Sequence, residues 1–356
     1  MKRDSNFELL RILAMCMIVT LHYLTKGLAI EGLAERGDFF NHICWLIYAF
    51  CMSATNVYVL VSGYFLAGRD MGAEGYAGRY IKSLIRFAVT VLFYSYVIVL
   101  LMGAFGAVDI MSLSAGDKLQ IFVPLEYEHY WFATAYIGMY ALSPVMAAAV
   151  QRLPKRVLAS VIVVMLVFFS LVKSVNPYLI PWDRYGYDMY WFICLFLIGG
   201  YISRYGDEDL ARIRHWGLWY AVFSVMVFAE EAVFSVVERK TGSLSYFCDM
   251  IYSYNHILVL LASISLFMFF RRLSFKSALI NLIAPGTFAV YLIHEHICIR
   301  FNWYEWLGIG KVRDSFLAFP HLLMSVLIVF AFGILADVLR RGIFICFSRK
   351  KKTVEK

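Results

Sequence analysis

The chain has 356 residues, of which 62% are hydrophobic and 16% charged, and its mean hydropathy is +0.70. A soluble core of this size needs far less apolar material, so the composition excludes an ordinary soluble enzyme and indicates a polytopic helical membrane protein. The net charge of +8 does not mark a nucleic-acid binder: the basic residues lie in short loops between apolar runs and in the tail SRKKKTVEK, with no basic face carrying a nucleic-acid motif.

In chain order, the candidate spans are 9–29, 43–66, 84–107, 129–150, 157–174, 189–203, 216–237, 255–271, 279–300 and 317–339. A helix crossing the hydrocarbon needs about 20 residues, so the sixth is short and predicts a tilted or broken segment shielded by its neighbours. MKR ahead of the first run resembles a signal peptide, yet Arg11 interrupts that run and no clear small-residue cleavage site follows, which predicts an uncleaved first span. The fold class is therefore all-α, a transmembrane bundle of about ten spans over residues 1–342, followed by a basic tail at 343–356.

The even-numbered loops hold Arg69, Arg79, Lys82 and Arg86, then Arg152, Lys155 and Arg156, then Arg204, Arg212 and Arg214, then Arg271, Arg272 and Lys276. The other loops hold fewer basic residues. The positive-inside rule then puts both termini in the cytoplasm of an inner-membrane, multi-pass protein. The seven cysteines are odd in number, lack a CxxC pair and lie mostly in apolar runs, which makes them small core residues rather than metal ligands.

The first run, ELLRILAMCMIVTLHY, carries two ionisable groups. Arg11 and His22 are eleven residues apart, close to three whole turns, so they share a helix face at an axial separation of roughly 16 Å. Alone, Arg11 fits snorkelling to the headgroups, and a lone intramembrane histidine fits a hydrogen bond to a neighbouring helix. Together on one stripe they favour a polar cavity, because lipid exposure of such groups costs several kcal/mol. Histidine takes a proton from a hydroxyl near neutrality, and arginine grips phosphate. An extended thioester donor such as coenzyme A would span from one to the other.

The outward loops NPYLIPWDRYGYDMYW and RFNWYEWLG, and the segment EYEHYWF, combine Trp and Tyr with Asp, Asn, Glu and His. They read as an aromatic belt at the headgroups, or as a platform for sugar rings on which His129, Trp131, Trp182 and Asp183 would meet an acceptor. Glu230 and Glu231 interrupt the seventh span; adjacent residues point about 100° apart, so at most one faces a given cavity. Asn56 reads as interhelical glue. His294 and His296 lie about 200° apart on a helix, which argues against a metal pair, and no metal is expected.

The opening RDSNFELLRILAMCMIVTLHY with its Arg-x10-His spacing, SGYF at residues 62–65, YWFATAYIGMYALSPVM, FLIGGYI and TFAVYLIHEH together resemble the acyltransferase family 3 integral membrane proteins, which O-acylate surface glycans, over roughly residues 3–340. The resemblance implies His22 as catalytic base, Arg11 as its partner, acyl-CoA (acetyl-CoA) as co-substrate with no permanently bound cofactor, and a basic donor motif near the third span. Family members often carry Arg-x-x-Arg there; this chain has GRYIKSLIR, so Arg79, Lys82 and Arg86 are the candidates. His294 matches a landmark and becomes a candidate acceptor contact. The expectation is an O-acyltransferase, most simply an O-acetyltransferase, moving an acyl group from cytoplasmic acyl-CoA to a glycan or lipid-linked sugar among membrane lipids. The competing readings are a proton-coupled transporter, against which the sequence shows no inverted repeat, and succinyl transfer by the same fold.

Overall fold

A computed structural model describes residues 4–127, 129–176 and 184–354, with side chains as far as Phe344. The first apolar run forms α1, Ser5–His22, and continues as one wide π-helical turn over Tyr23–Gly27, closed by the Leu28 N–H on the Tyr23 carbonyl at 2.8 Å. Such turns alter the helical register and recur at functional sites. This one follows directly after His22.

The chain returns through α2, Phe39–Cys51, and α3, Ser53–Ala67, which meet end to end at Met52. Asp38 starts α2 because its carboxylate accepts the orphan Asn41 N–H at 2.8 Å. Then follow α4, Tyr76–Ala104, the short α5, Ala115–Phe122, capped by Ser114, and α6, Trp131–Arg152. Helix α7, Lys155–Leu166, runs through a second π turn into α8, Val172–Val175. The remainder is α9, Met189–Asp209, α10, Trp216–Thr241, α11, Ser245–Ile251, and α12, Ile257–Arg271. Helices α13, Ala278–Ile283, and α14, Thr287–His294, are joined by a 3₁₀ turn at Pro285, and α15, Trp303–Trp306, precedes α16, Ala318–Val354. Among the described residues there is no strand.

Among the described residues, seven stretches are long and apolar enough to cross a membrane: Ser5–Gly27, Phe39–Ala67, Tyr76–Ala104, Trp131–Arg152, Lys155–Val175, Trp216–Thr241 and Ala318–Phe344. The three other expected spans fall on α9, on α12 and on α13–α14. Ile257–Arg271 and Ala278–His294 are apolar but shorter. Helix α9 ends in Asp207, Glu208 and Asp209, and it is buried along most of its length rather than set at the periphery.

Helix α3 is the central post, packed on α1, α6, α9 and α12. Its contact with α9 is backbone to backbone: a Cβ on Gly63 would lie 2.3 Å from the Phe196 carbonyl oxygen, and one on Gly199 would lie 2.4 Å from that of Leu60. Only glycine permits this approach. Asn56 of α3 donates to the Tyr254 carbonyl at 2.8 Å and to Ser263 at 3.1 Å and accepts from Trp191 at 3.0 Å, tying three elements together as glue. Helices α4, α7, α10 and α16 line the outside and present bare Leu, Val and Phe side chains such as Leu100, Val164, Leu218 and Leu335, as lipid-facing surfaces do.

Candidate active site

A cavity of about 290 Å³ lies inside the bundle. Helix α1 gives it Arg11, Met15, Ile18 and His22, a single stripe at helical spacing. From α3 come Thr55, Tyr58 and Ser62; α6 supplies Trp131, Phe132 and Tyr136; α14 supplies Thr287, Phe288 and Tyr291; Phe87 and Tyr254 complete the wall. The walls are largely aromatic, with hydroxyls set among the rings. Ser62 Oγ is 3.0 Å from the Tyr136 hydroxyl, and the Tyr58 hydroxyl donates to the Arg11 carbonyl at 2.6 Å. The Arg11 guanidinium bonds Glu8 at 2.9 Å.

The tautomer of His22 follows from its neighbours. His294 Nδ1 is 2.6 Å from the Val290 carbonyl, which only accepts, so that nitrogen carries the proton and His294 Nε2 carries the lone pair. His22 Nδ1 is 3.0 Å from His294 Nε2 and 3.1 Å from Glu295 Oε1, two acceptors. The Nδ1 of His22 is therefore the protonated nitrogen, and its Nε2 holds a free lone pair with no hydrogen-bond partner among the described residues. That is the arrangement of a general base whose other nitrogen is held by an acceptor. Glu295 Oε1 also accepts from Lys26 Nζ at 2.5 Å. His22, His294 and Glu295 place ligand-type atoms within 4.8 Å of one another, but the Lys26 ammonium already supplies positive charge to the shared carboxylate.

A second cavity, about 660 Å³, opens at the end of the bundle that carries the basic loops. Arg69, Arg79, Lys82 and Arg86 line it with Tyr76, Tyr80 and Tyr140. The three donor candidates on α4 thus meet in one place, with Arg69 added by the turn after SGYF. A smaller space of about 250 Å³ shares Ser83 and Arg86 with this basic mouth, and shares Phe87 and Phe288 with the His22 cavity. The small space thus lies between the basic mouth and the His22 cavity, with Phe87 and Phe288 bordering both it and the cavity.

A family model, an acyltransferase domain, matches residues 4–338. The chain belongs to acyltransferase family 3. It is a membrane acyltransferase. No curated protein and no solved structure matches it.

Four of the segments that carry the family resemblance converge on the cavity of this family 3 acyltransferase, and the fifth, FLIGGYI, packs on α3 behind it. Within SGYF, Ser62 faces the cavity, Gly63 makes the close approach to α9, and Tyr64 lies under the Arg271 guanidinium at 5.6 Å, while Phe65 lines the basic mouth. Trp131, Phe132 and Tyr136 lie in YWFATAYIGMY, and Thr287, Phe288, Tyr291 and His294 lie in TFAVYLIHEH.

The other expected site residues are placed differently. His129 is buried and bonded through both nitrogens, to the Gln120 carbonyl at 3.1 Å and from the Ile297 N–H at 2.9 Å; it braces a loop and does not line the cavity. Glu230 and Glu231 also lie outside the cavity wall. Glu231 is buried and accepts from Ser235 at 2.9 Å, and Glu230 is 3.7 Å from His256. His294 touches His22 rather than the cavity space. Trp131 is on the wall, stacked at 5.7 Å on Tyr254. Trp182 and Asp183 lie outside the described residues. Sequence reading did not assign Glu295, Lys26, Tyr58, Tyr136, Tyr254 or Tyr291 a role. Lys26, four residues beyond His22, and Glu295, beside His294, were open to a proximity argument; the tyrosines become a set only when α3, α6, α14 and the turn before α12 meet.

Proposed function

We propose that this acyltransferase moves an acyl group from acyl-CoA in the cytoplasm to a hydroxyl of a glycan or lipid-linked sugar at the outer side of the inner membrane. The bundle then has about ten spans and both termini in the cytoplasm. The observation that carries the reading is the placement of a small space bordered by Arg86 and Phe288 between the mouth lined by Arg69, Arg79, Lys82 and Arg86 and the cavity lined by His22.

The donor phosphates bind Arg69, Arg79, Lys82 and Arg86, where forked and point cations suit dispersed negative charge. The arm passes Phe87 and Phe288, and the thioester reaches the cavity. An acceptor hydroxyl enters from the Trp131 and Tyr254 side. Its oxygen attacks the thioester carbonyl carbon while its proton passes to His22 Nε2; the carbon–sulfur bond then breaks, and the imidazolium returns the proton to the departing sulfur. The products are the sugar ester and the free thiol of coenzyme A. Holding His22 Nδ1–H on His294, with the Glu295 carboxylate beside it, keeps the other nitrogen aimed into the cavity throughout. The acyl group is short and uncharged, most simply acetyl, because Arg11, the one cation on the cavity wall among the described residues, is already paired with Glu8.

The experiment is thiol release from acetyl-CoA by purified protein, paired with mass spectrometry of the envelope glycan of a deletion strain. The reading expects a lost ester in the strain and thiol release that disappears in His22→Ala. An unchanged glycan together with His22-independent release would refute it.

A further inference from the structure

Behind His22, away from the cavity, lies an ion pair that the acyl-transfer chemistry does not itself require. Lys26 comes from the π turn that ends α1, and Glu295 comes from the C-terminal end of α14, 269 residues later in the chain. Their charged atoms are 2.5 Å apart, with side chains 24% and 8% exposed. Water screens a pair this enclosed only weakly, so its geometry is held firmly. The Lys26 ammonium also stands 5.7 Å over the ring of Phe301, which fixes its remaining face.

One carboxylate oxygen, Glu295 Oε1, takes the Lys26 ammonium and stands 3.1 Å from His22 Nδ1, whose hydrogen bond goes to His294 Nε2. The groups facing it are thus His22 at the end of α1, Lys26 from the π turn that follows it, and His294 at the end of α14. Neither Lys26 nor Glu295 lines the cavity. Either residue can influence the reaction only through His22. The π turn matters here, because its extra residue per turn alters where Lys26 projects relative to His22.

We propose that Lys26 is a positioning residue: it fixes the Glu295 carboxylate in the one orientation that holds the His22 imidazole toward the cavity, clamping the end of α1 to the end of α14. The inference rests on the acyl-transfer reading above and adds to it a residue that touches neither substrate nor the reacting atoms. In the absence of Lys26, the carboxylate is a buried charge with a smaller set of donors; it rotates toward other donors or water, and His22 loses the negative charge that stands 3.1 Å from its Nδ1.

The test is steady-state thiol release from acetyl-CoA by the full-length protein in detergent, comparing Lys26→Met, Lys26→Arg, Glu295→Gln and the Lys26→Met/Glu295→Gln pair. The clamp expects kcat to fall by about tenfold or more in Lys26→Met and by about 10²-fold in Glu295→Gln, with KM for acetyl-CoA unchanged in both. Lys26→Arg, which keeps the charge, restores kcat to within about threefold. The double variant is no slower than Glu295→Gln alone, because Lys26 acts only through that carboxylate. Wild-type kcat in Lys26→Met, losses that multiply in the double variant, or a KM effect equal to the kcat effect would each overturn the proposal. Should Lys26→Met not fold, Lys26→Gln, which leaves the Glu295 carboxylate an amide donor but no cation, carries the same comparison. His22→Ala separates the two claims: His22-independent release defeats the acyl-transfer reading, whereas His22-dependent release with a normal Lys26→Met defeats the clamp alone.

Discussion

Gly63→Ala places a methyl group where α3 and α9 touch. The new Cβ would lie 2.3 Å from the Phe196 carbonyl oxygen, 2.7 Å from its Cα and 2.9 Å from its carbonyl carbon, whereas ordinary contact begins near 3.4 Å. The obstacle is helix backbone, which cannot turn aside as a side-chain tip can, so the two helices must part by about 1 Å. Overpacking of this kind costs about 1–3 kcal/mol. The thermal midpoint in detergent should then fall by on the order of 5 °C. Activity should suffer more than stability, because α3 carries Thr55, Tyr58 and Ser62 into the cavity, and a misplacement of about 1 Å in a positioned site costs roughly 10²-fold in rate. Gly199→Ala strikes the same seam, 2.4 Å from the Leu60 carbonyl oxygen. The double variant should fall short of the sum of the two, since the helices are already parted. The assay is a thermal melt beside acetyl-CoA thiol release. A Gly63→Ala protein with wild-type midpoint and wild-type rate would refute the claim that this contact holds the cavity in shape.

Replacing His22 with Gln should remove thiol release by roughly 10³-fold or more while the melt stays near wild type, because the residue borders open space rather than filling the core; retained release would remove it from the base role. Alanine at Arg79, Lys82 or Arg86 should raise KM for acetyl-CoA by about tenfold each with little change in kcat, and the wild-type KM should climb with salt; a flat KM in both experiments would leave these cations as orientation signals only. Asn56→Leu should leave the Trp191 N–H and the Tyr254 carbonyl without their bonds in the core, costing about 1–3 kcal/mol for each orphaned group, and chemical denaturation would show it as a lowered midpoint.

The sequence alone determined that the chain is a helical membrane bundle, because a bilayer needs long apolar runs and those runs are visible in one dimension. It determined, too, that Arg11 and His22 share a stripe, since helical periodicity is local; Met15 and Ile18 lie between them on the same cavity wall. Residues joined through two or more helices were beyond it. Nothing in the spacing of YLIHEH shows that His294 passes its lone pair to His22, or that Glu295 binds Lys26, because each partner comes from the far end of the chain. Nor does local sequence distinguish Trp131, which reaches the cavity, from His129 two residues earlier, whose two nitrogens are consumed by loop backbone. Ionisable side chains announce themselves in an apolar run, but whether each faces substrate, a neighbour or the core is decided by which helices pack together, and here that packing was set by Gly63 and Gly199 letting α3 and α9 close.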